Sequence, residues 1–190
     1  MISRCEQAEF NEATKNRPTE CPLPQRKHIR LAGYDYSQQG CYFITICTYG
    51  KAHTLCTICR GDPCGCPLIE YTPLGKIAEK TLWHLEERYS IELDAYAIMP
   101  NHVHLLMTLP SPNERATARV APTVGQIVGA YKSLVVHEWR KECNAYNIHM
   151  GTVWQRSFFE HIIRNEMDFL ETQRYIDENP ARWLTGADFP

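Results

Sequence analysis

The chain lacks a long apolar run, an excess of positive charge and any internal repeat. No stretch of 18 consecutive apolar residues is present, which argues against a transmembrane helix. The first twenty residues are polar and lack the apolar middle of a secretory signal, so the sequence predicts a cytoplasmic protein without a membrane partner. The formal net charge of −2 means that overall electrostatics do not indicate a nucleic-acid-binding protein.

A small group of cations near the N-terminus is the local exception to this charge balance. Arg26, Lys27 and Arg30 stand close together in the chain. They are candidates for contacts with DNA, and the alternative is a solvated group of surface charges. They follow a polar segment that contains three prolines. The sequence therefore predicts a flexible polar tail over residues 1–27 and a single domain over residues 28–190.

Strand and helix patterns alternate along the remainder of the chain. Runs rich in β-branched and aromatic residues predict strands over residues 41–48, 93–98, 102–109 and 153–163. A helix is predicted after Thr72, because proline follows at the first helical position. A second helix is predicted after Thr123, because Gln126 three residues later completes a capping box.

The last helix is predicted to begin after Asn165, which can cap it, and to end near Asn179. The end is placed there because Pro180 disfavours helical geometry at the residue before it. The resulting order is β, α, β, β, α, β, α. It predicts an α+β fold with a ferredoxin-like split βαβ antiparallel sheet, helices on one face and a further C-terminal helix.

A pair of histidines marks one predicted strand. His102 and His104 are two residues apart, so both imidazoles lie on one face of the sheet while Val103 points to the other. Two imidazoles from one strand can bind a divalent cation, and an oxygen ligand as the third would leave positions for phosphate oxygens. The alternative interpretation is two ordinary surface histidines.

Tyr175 and Asn179 form a second candidate pair near the C-terminus. They are four residues apart and share a helix face if the helix extends that far. A phenol has a pKa near ~10 and is a poor nucleophile unless a bound cation lowers the charge on its target phosphate. Asn179 offers an amide oxygen as a third ligand. The alternatives are a core tyrosine and a helix-terminal asparagine before proline.

A cluster of cysteines defines a third candidate site. Cys56 and Cys59 form a CxxC pair, and Cys64 and Cys66 form a CxC pair soon after it. Four thiolates at such spacing could bind zinc, although zinc sites normally use two separated CxxC pairs. The alternative is free thiols in a loop, since a cytoplasmic protein keeps most cysteines reduced. Zinc would make this segment the centre of an interaction module.

Several segments together resemble the REP-associated tyrosine transposases, a branch of the single-tyrosine HUH transposases. The most specific are Met99-Pro-Asn-His-Val-His-Leu-Leu106 and Tyr175-Ile-Asp-Glu-Asn-Pro180. The resemblance covers about residues 28–185. The other matching segments, in order, are Ile29 to Tyr36, Gly40 to Thr48, Tyr131 to Ser133, Val153 to Gln155 and His161 to Asn165.

The resemblance implies an HUH nuclease fold and a metal-dependent DNA strand transferase. It implies that His102 and His104 hold Mg²⁺ or Mn²⁺, with Asn179 as third ligand. It implies that Tyr175 attacks a phosphate in single-stranded DNA next to a hairpin, typically a repeated extragenic palindrome, and keeps the 5′ end covalently. Lys132 and Arg164 are then candidate phosphate contacts, or else ordinary surface charges.

Other functions remain open at this point. A domesticated relative could bind DNA hairpins without cutting them. A phosphodiesterase that uses water would need His102 and His104 but not Tyr175. Trp154 and Trp183 could stack on unpaired bases, but burial in the core is the expectation for Trp154. The oligomeric state stays open between monomer and homodimer.

Overall fold

A computed structural model describes residue 33 and residues 35–61, 66–110 and 122–186 of the chain. The predicted tail over residues 1–27, the cations Arg26, Lys27 and Arg30, and Cys64 lie outside the described residues. In chain order the elements are β1 (Gly40–Cys47), β2 (Cys56–Arg60), β3 (Pro67–Tyr71), α1 (Pro73–Tyr89), β4 (Glu92–Ile98), β5 (His102–Leu109), α2 (Val124–Ala145), β6 (Phe159–Ile162) and α3 (Glu166–Thr185).

Four strands form one antiparallel sheet in the order β4-β5-β1-β6. The predicted α+β fold with an antiparallel sheet is confirmed, with β1 in the interior next to β5. The strands β2 and β3 pair separately as a hairpin. This hairpin was not predicted, because its cysteines, glycines and prolines indicated a loop.

The two faces of the sheet pack against different helices. Along β5, Val103, Leu105 and Met107 belong to the main apolar core, which also contains the buried faces of α1 and α2. The alternate residue Leu106 belongs to a second cluster with Ile176 of α3. His102 and His104 are four and two residues before Leu106 on the same strand, so their side chains point to the same face, which α3 covers. None of the helices in the described residues is long and apolar enough to cross a bilayer.

The predicted helix starts are confirmed by their capping hydrogen bonds. Thr72 accepts a hydrogen bond from the Gly75 amide at the start of α1. The Thr123–Gln126 capping box is complete at the start of α2. Asn165 caps α3 by accepting from the Asp168 amide at 2.9 Å. Each cap satisfies amides that the helix itself leaves without a partner.

The predicted end of the last helix is wrong. Helix α3 does not stop at Asn179 but continues through Pro180 to Thr185, and it ends where Gly186 takes a left-handed conformation at φ 70°. Proline removes one intrahelical hydrogen bond, which commonly costs about 3 kcal/mol. Here Pro180 is buried, and Trp183 and Leu184 beyond it pack against the second apolar cluster. Tertiary packing therefore outweighs the local preference.

The strand predicted over residues 153–163 is also wrong in length. Only Phe159–Ile162 forms β6, and Trp154 makes a single bridge to Thr48. The residues between them form a loop that Lys132 stabilises. Its ammonium donates hydrogen bonds to the carbonyl oxygens of Gln155 and Ser157, each at 2.9 Å. A side chain from α2 thus satisfies backbone groups that a strand would have paired.

Two glycines in helices should respond in opposite ways to alanine. A Cβ at Gly75 would collide with the backbone carbonyl of Leu55, whereas nothing lies within 4 Å of one at Gly129. We expect Gly75→Ala to lower the free energy of unfolding by more than about 2 kcal/mol. Gly129→Ala should raise it by up to about 1 kcal/mol through helix propensity. Urea denaturation measures both, and equal effects would contradict the close approach at Gly75.

Candidate active site

The two histidines of β5 converge beneath helix α3. His102 is 4% exposed and His104 is 3% exposed. Their Nε2 atoms lie 3.0 Å apart. Two nitrogen ligands about 2.1 Å from one cation, at a right angle to each other, would be separated by about 3.0 Å. The pair therefore has the spacing of a two-nitrogen chelate.

Each imidazole is oriented by a hydrogen bond at its other nitrogen. Nδ1 of His102 lies 2.6 Å from the side-chain oxygen of Asn101, which can only accept, so Nδ1 carries the proton and Nε2 a lone pair. Nδ1 of His104 lies 2.9 Å from the hydroxyl of Thr45, which can donate or accept. When Thr45 donates to Nδ1, the proton of His104 is on Nε2, which then donates a hydrogen bond to Nε2 of His102. When Thr45 accepts, both Nε2 lone pairs face a cation.

Burial keeps both imidazoles in the neutral form that ligates metals. Burial, together with the positive charge of Lys51, lowers the pKa of His102 to about 4. Burial and the neighbouring His102 lower the pKa of His104 well below its ordinary value. Neither ring needs to lose a proton at neutral pH before it binds a cation.

Helix α3 places three side chains over the histidines, one turn apart. The ring centroid of Tyr175 lies 5.4 Å from that of His104, and the ring centroid of Trp183 lies 6.3 Å from that of His102. Asn179 stands midway between Tyr175 and Trp183 on the same helical face. The predicted pairs His102/His104 and Tyr175/Asn179 are therefore brought together across the interface between sheet and helix.

Asn179 is fully buried, and its amide has no hydrogen-bond partner in the part of the chain that the structure describes. A buried amide left without partners costs about 1–3 kcal/mol, so a native structure seldom keeps one without a ligand or water. No third His, Cys, Asp or Glu in the described ranges joins the histidines to form a metal-binding group. An amide oxygen with two imidazoles is a donor set that fits a divalent cation of the Mn²⁺ type.

The orphaned amide leads to a stability prediction. Asn179→Leu replaces the amide by an apolar group of similar size, so we expect the metal-free variant to unfold with a free energy equal to or up to about 3 kcal/mol above that of the wild type. Added Mn²⁺ should raise the melting temperature of the wild type more than that of the variant. Thermal unfolding with and without Mn²⁺ measures both effects, with the exposed Asn144→Leu as control. Marked loss of stability without metal would mean that the amide has a protein partner.

Four residues near this site were not predicted from the sequence. Thr45 reaches His104 because the register pairs these two residues across β1 and β5, which local patterns do not reveal. Asn101 directly precedes His102, so adjacency alone was a usable signal. Lys51 holds a left-handed backbone conformation at φ 54°, and strain of this kind clusters at functional sites. The Arg182 guanidinium lies 5.6 Å from the centre of the Tyr175 ring.

The predicted phosphate contacts are placed differently from one another. The Lys132 ammonium donates hydrogen bonds to the carbonyl oxygens of the loop described above, and burial lowers the pKa of this side chain. Arg164 is exposed at the start of α3, where its backbone amide donates to Asp168. Trp154 is 7% exposed and lies in the main core, as expected for a structural role. Trp183 contacts His53 as well as His102.

The cysteines of the zinc hypothesis do not converge in the described residues. Cys56 is buried on β2 and donates its thiol hydrogen to the Ile98 carbonyl. Cys59 is exposed three residues later on the same strand, so its side chain points to the opposite face of the hairpin. Cys66 is exposed before β3. One tetrahedral ion cannot reach two thiols on opposite faces of a strand.

Comparison with known proteins shows the family to which the sequence is similar. The sequence profile of the IS200-like transposases matches residues 69–179. An uncharacterized protein of Haemophilus influenzae is 30% identical over 175 residues, which cover 85% of this chain and 91% of that protein. A putative REP-associated tyrosine transposase of the same organism is 28% identical over 153 residues, covering 78% and 74% of the two chains.

A solved structure shares the fold. A REP-associated tyrosine transposase bound to a REP hairpin superposes with a TM-score of 0.57 at 18% identity, covering 84% of this chain and 76% of that one. The predicted HUH nuclease fold is thereby confirmed. The family match spans β3 to the middle of α3 and includes both histidines and Tyr175. The chain therefore belongs to the IS200-like transposases, a family of DNA-cleaving enzymes that includes the REP-associated tyrosine transposases.

Proposed function

We propose that the chain cleaves and rejoins single-stranded DNA beside a hairpin through a covalent bond between Tyr175 and the 5′ phosphate. The observation that carries the proposal is the meeting of the two buried imidazoles with the helix face of Tyr175 and Asn179. Tyr175 and the two candidate histidine ligands lie on separate elements. His104 and Tyr175 are 71 residues apart in the chain, yet the centroids of their rings are 5.4 Å apart. A reaction at one phosphate needs such convergence.

Each residue has a distinct task in this proposal. Tyr175 supplies the phenol oxygen that forms the new bond to phosphorus. Mg²⁺ or Mn²⁺ would be held by His102, His104 and Asn179, and would neutralise charge on the phosphate. Asn101 and Thr45 keep the imidazoles oriented toward each other, so little reorganisation is needed during the reaction.

The bonds and protons balance without any further reactant. The phenol oxygen of Tyr175 bonds to phosphorus as the bond from phosphorus to the 3′ oxygen breaks. The phenol loses its proton, and the departing 3′ oxygen gains one to become a hydroxyl. The phosphotyrosine keeps the energy of the broken phosphodiester, so a second 3′ hydroxyl can displace Tyr175 and join a new strand. Hydrolysis by water offers no such return step.

The test is the search for the covalent adduct. Wild-type protein is incubated with a single-stranded oligonucleotide that carries a hairpin, in Mn²⁺ or Mg²⁺. We expect a protein–DNA adduct resistant to denaturation, and peptide mass spectrometry should place the nucleotide on Tyr175. Cleavage without an adduct would favour a phosphodiesterase that uses water. Tight hairpin binding without cleavage would favour the non-cleaving alternative.

Further DNA contacts are proposals of the same kind. Arg26, Lys27, Arg30 and Arg164 would contribute phosphate contacts, whose loss lowers the dependence of affinity on salt. Lys132 would act mainly through the loop it supports, because its hydrogen bonds to Gln155 and Ser157 occupy two of its three donors. An oligonucleotide-binding titration at several salt concentrations separates the two kinds of contribution.

A further inference from the structure

An open pocket of about 290 Å³ lies between strand β6 and helix α3, directly beside Tyr175. Its walls include Phe43, Phe159, His161, Asp168, Thr172 and Tyr175. Tyr175 therefore borders both the histidine pair, through His104, and this pocket. A strand whose phosphate is attacked by Tyr175 must place the adjoining nucleotide near one of them.

The register of β6 puts two of the pocket residues on the active face of the sheet. Phe159 pairs with Thr45, and His161 pairs with Phe43. Cross-strand partners point to the same face, and Thr45 is the residue that contacts His104. Phe159 therefore lies on the same face of the sheet as the histidine pair, and one strand, β1, separates its strand from β5.

Phe159 presents an aromatic face to solvent. It is 51% exposed, although the chain buries most of its other large apolar side chains on this sheet. It stands on β6, the edge strand next to β1, and no further strand in the described part of the chain pairs beyond it. An exposed ring beside a nucleophile for DNA is suited to stacking, since every base has a flat π face.

The charges of the pocket select which part of a nucleotide can enter it. His161 Nε2 lies 3.0 and 3.1 Å from the two carboxylate oxygens of Asp168. The hydrogen bond from His161, followed by that from the Arg164 amide, lowers the pKa of Asp168, so this carboxylate stays ionised. Glu171 adds a second acidic group to the lining. Two carboxylates repel a phosphate but not an uncharged base.

We propose that this pocket receives the unpaired nucleobase next to the scissile phosphate, with Phe159 as its stacking partner. The inference rests on the proposed function of Tyr175 and adds a subsite to it. The phosphate lies toward the histidine pair, and the base lies on Phe159 away from it. The stacked base limits rotation of the strand about the phosphate and holds that phosphate in reach of the phenol oxygen.

Abasic substitution combined with Phe159→Ala tests the proposal. Oligonucleotides lacking one base at each position around the cut are compared in adduct formation with Mn²⁺. We expect Phe159→Ala to lower kcat/KM on the intact strand by about 5- to 150-fold, the loss of one stacked base. One abasic position should show a similar loss, and Phe159→Ala should then cause little further loss. Equal effects of Phe159→Ala at every position, or no effect on the intact strand, would overturn the proposal.

A second measurement does not depend on cleavage. The fluorescent base 2-aminopurine, placed at the critical position, should be quenched when the metal-free protein binds, and Phe159→Ala should remove most of that quenching. Phe159→Trp keeps a ring for stacking and should retain kcat/KM near the wild-type value. Tyr146→Ala removes an exposed ring at the end of α2 and should change neither kcat/KM nor the quenching. If quenching depends on Phe159 but no adduct forms with Mn²⁺, the proposed role of Tyr175 is refuted and the pocket proposal stands. If adducts form but quenching is the same in Phe159→Ala as in the wild type, the pocket proposal is refuted and the proposed role of Tyr175 stands.

Discussion

Tyr175→Phe is expected to abolish the covalent adduct and to lower strand cleavage at least about a thousandfold, because loss of a catalytic nucleophile commonly costs 10⁴-fold or more. The change removes only the phenol oxygen. The ring that packs at 6.0 Å from Phe43 and at 5.4 Å from His104 remains. Stability and hairpin affinity should therefore stay near the wild-type values. Denaturing gels of the reaction with labelled hairpin oligonucleotide measure adduct and cleavage together.

The control for this variant is Tyr146→Phe, which makes the same chemical change at an exposed site after α2. It should react at the wild-type rate. If Tyr175→Phe cleaves as fast as the wild type, the nucleophile is water or another residue. An adduct that persists in Tyr175→Phe and maps to a different tyrosine would reassign the nucleophile while leaving the histidine pair in place.

His104→Ala is expected to lower cleavage by about a thousandfold or more while hairpin binding is largely retained. The proposed cation site would lose one of its two nitrogen ligands, and a loss of several kcal/mol of charge stabilisation at the phosphate corresponds to this factor. His102→Ala should have a similar effect, since its Nε2 atom lies 3.0 Å from that of His104 and would bind the same cation. Asn179→Ala should lower the rate less, because water can replace one oxygen ligand. Single-turnover cleavage at saturating protein measures the chemical step apart from binding.

Metal titration separates a lost ligand from a lost fold. Isothermal titration with Mn²⁺ should show weaker binding to His104→Ala than to the wild type, while circular dichroism stays unchanged. The control His84→Ala removes an exposed imidazole from α1, on the far side of the sheet from His104, and should leave both cleavage and metal binding intact. Full cleavage by His104→Ala would show that the histidines do not hold the reactive cation.

Residues with local signals were placed correctly from the sequence. The period of two along β5 puts His102 and His104 on one face, and it does so without knowledge of any partner. The caps at Thr72, Thr123 and Asn165 depend on contacts within three residues. These features are determined by steric and hydrogen-bonding preferences that act over a few residues. They therefore needed no tertiary information.

Residues whose role depends on a distant partner were missed or misplaced. Thr45 becomes an orienting group only because the register sets it opposite His104, 59 residues away. The hairpin of β2 and β3 has a weak local pattern, but it packs Cys56 and Ile58 against the same cluster as Ile176. Phe159 looked like one residue of a long strand. Only the short β6 at the sheet edge exposes its ring next to Tyr175.

The sequence by itself determined the order of the four sheet strands and the three helices, the shared face of the two histidines and the spacing of Tyr175 and Asn179, because alternation and helical period are properties of the local backbone. The tertiary structure alone decided that α3 runs through Pro180 and lies over the histidine face of the sheet. Packing of the partly buried Trp183 and Leu184 outweighs the local cost of proline, and that packing exists only where the sheet supplies a partner surface. The same packing places Asn179 inside the helix and buries its amide without a hydrogen-bond partner among the described residues, which argues against the alternative of a helix-terminal asparagine.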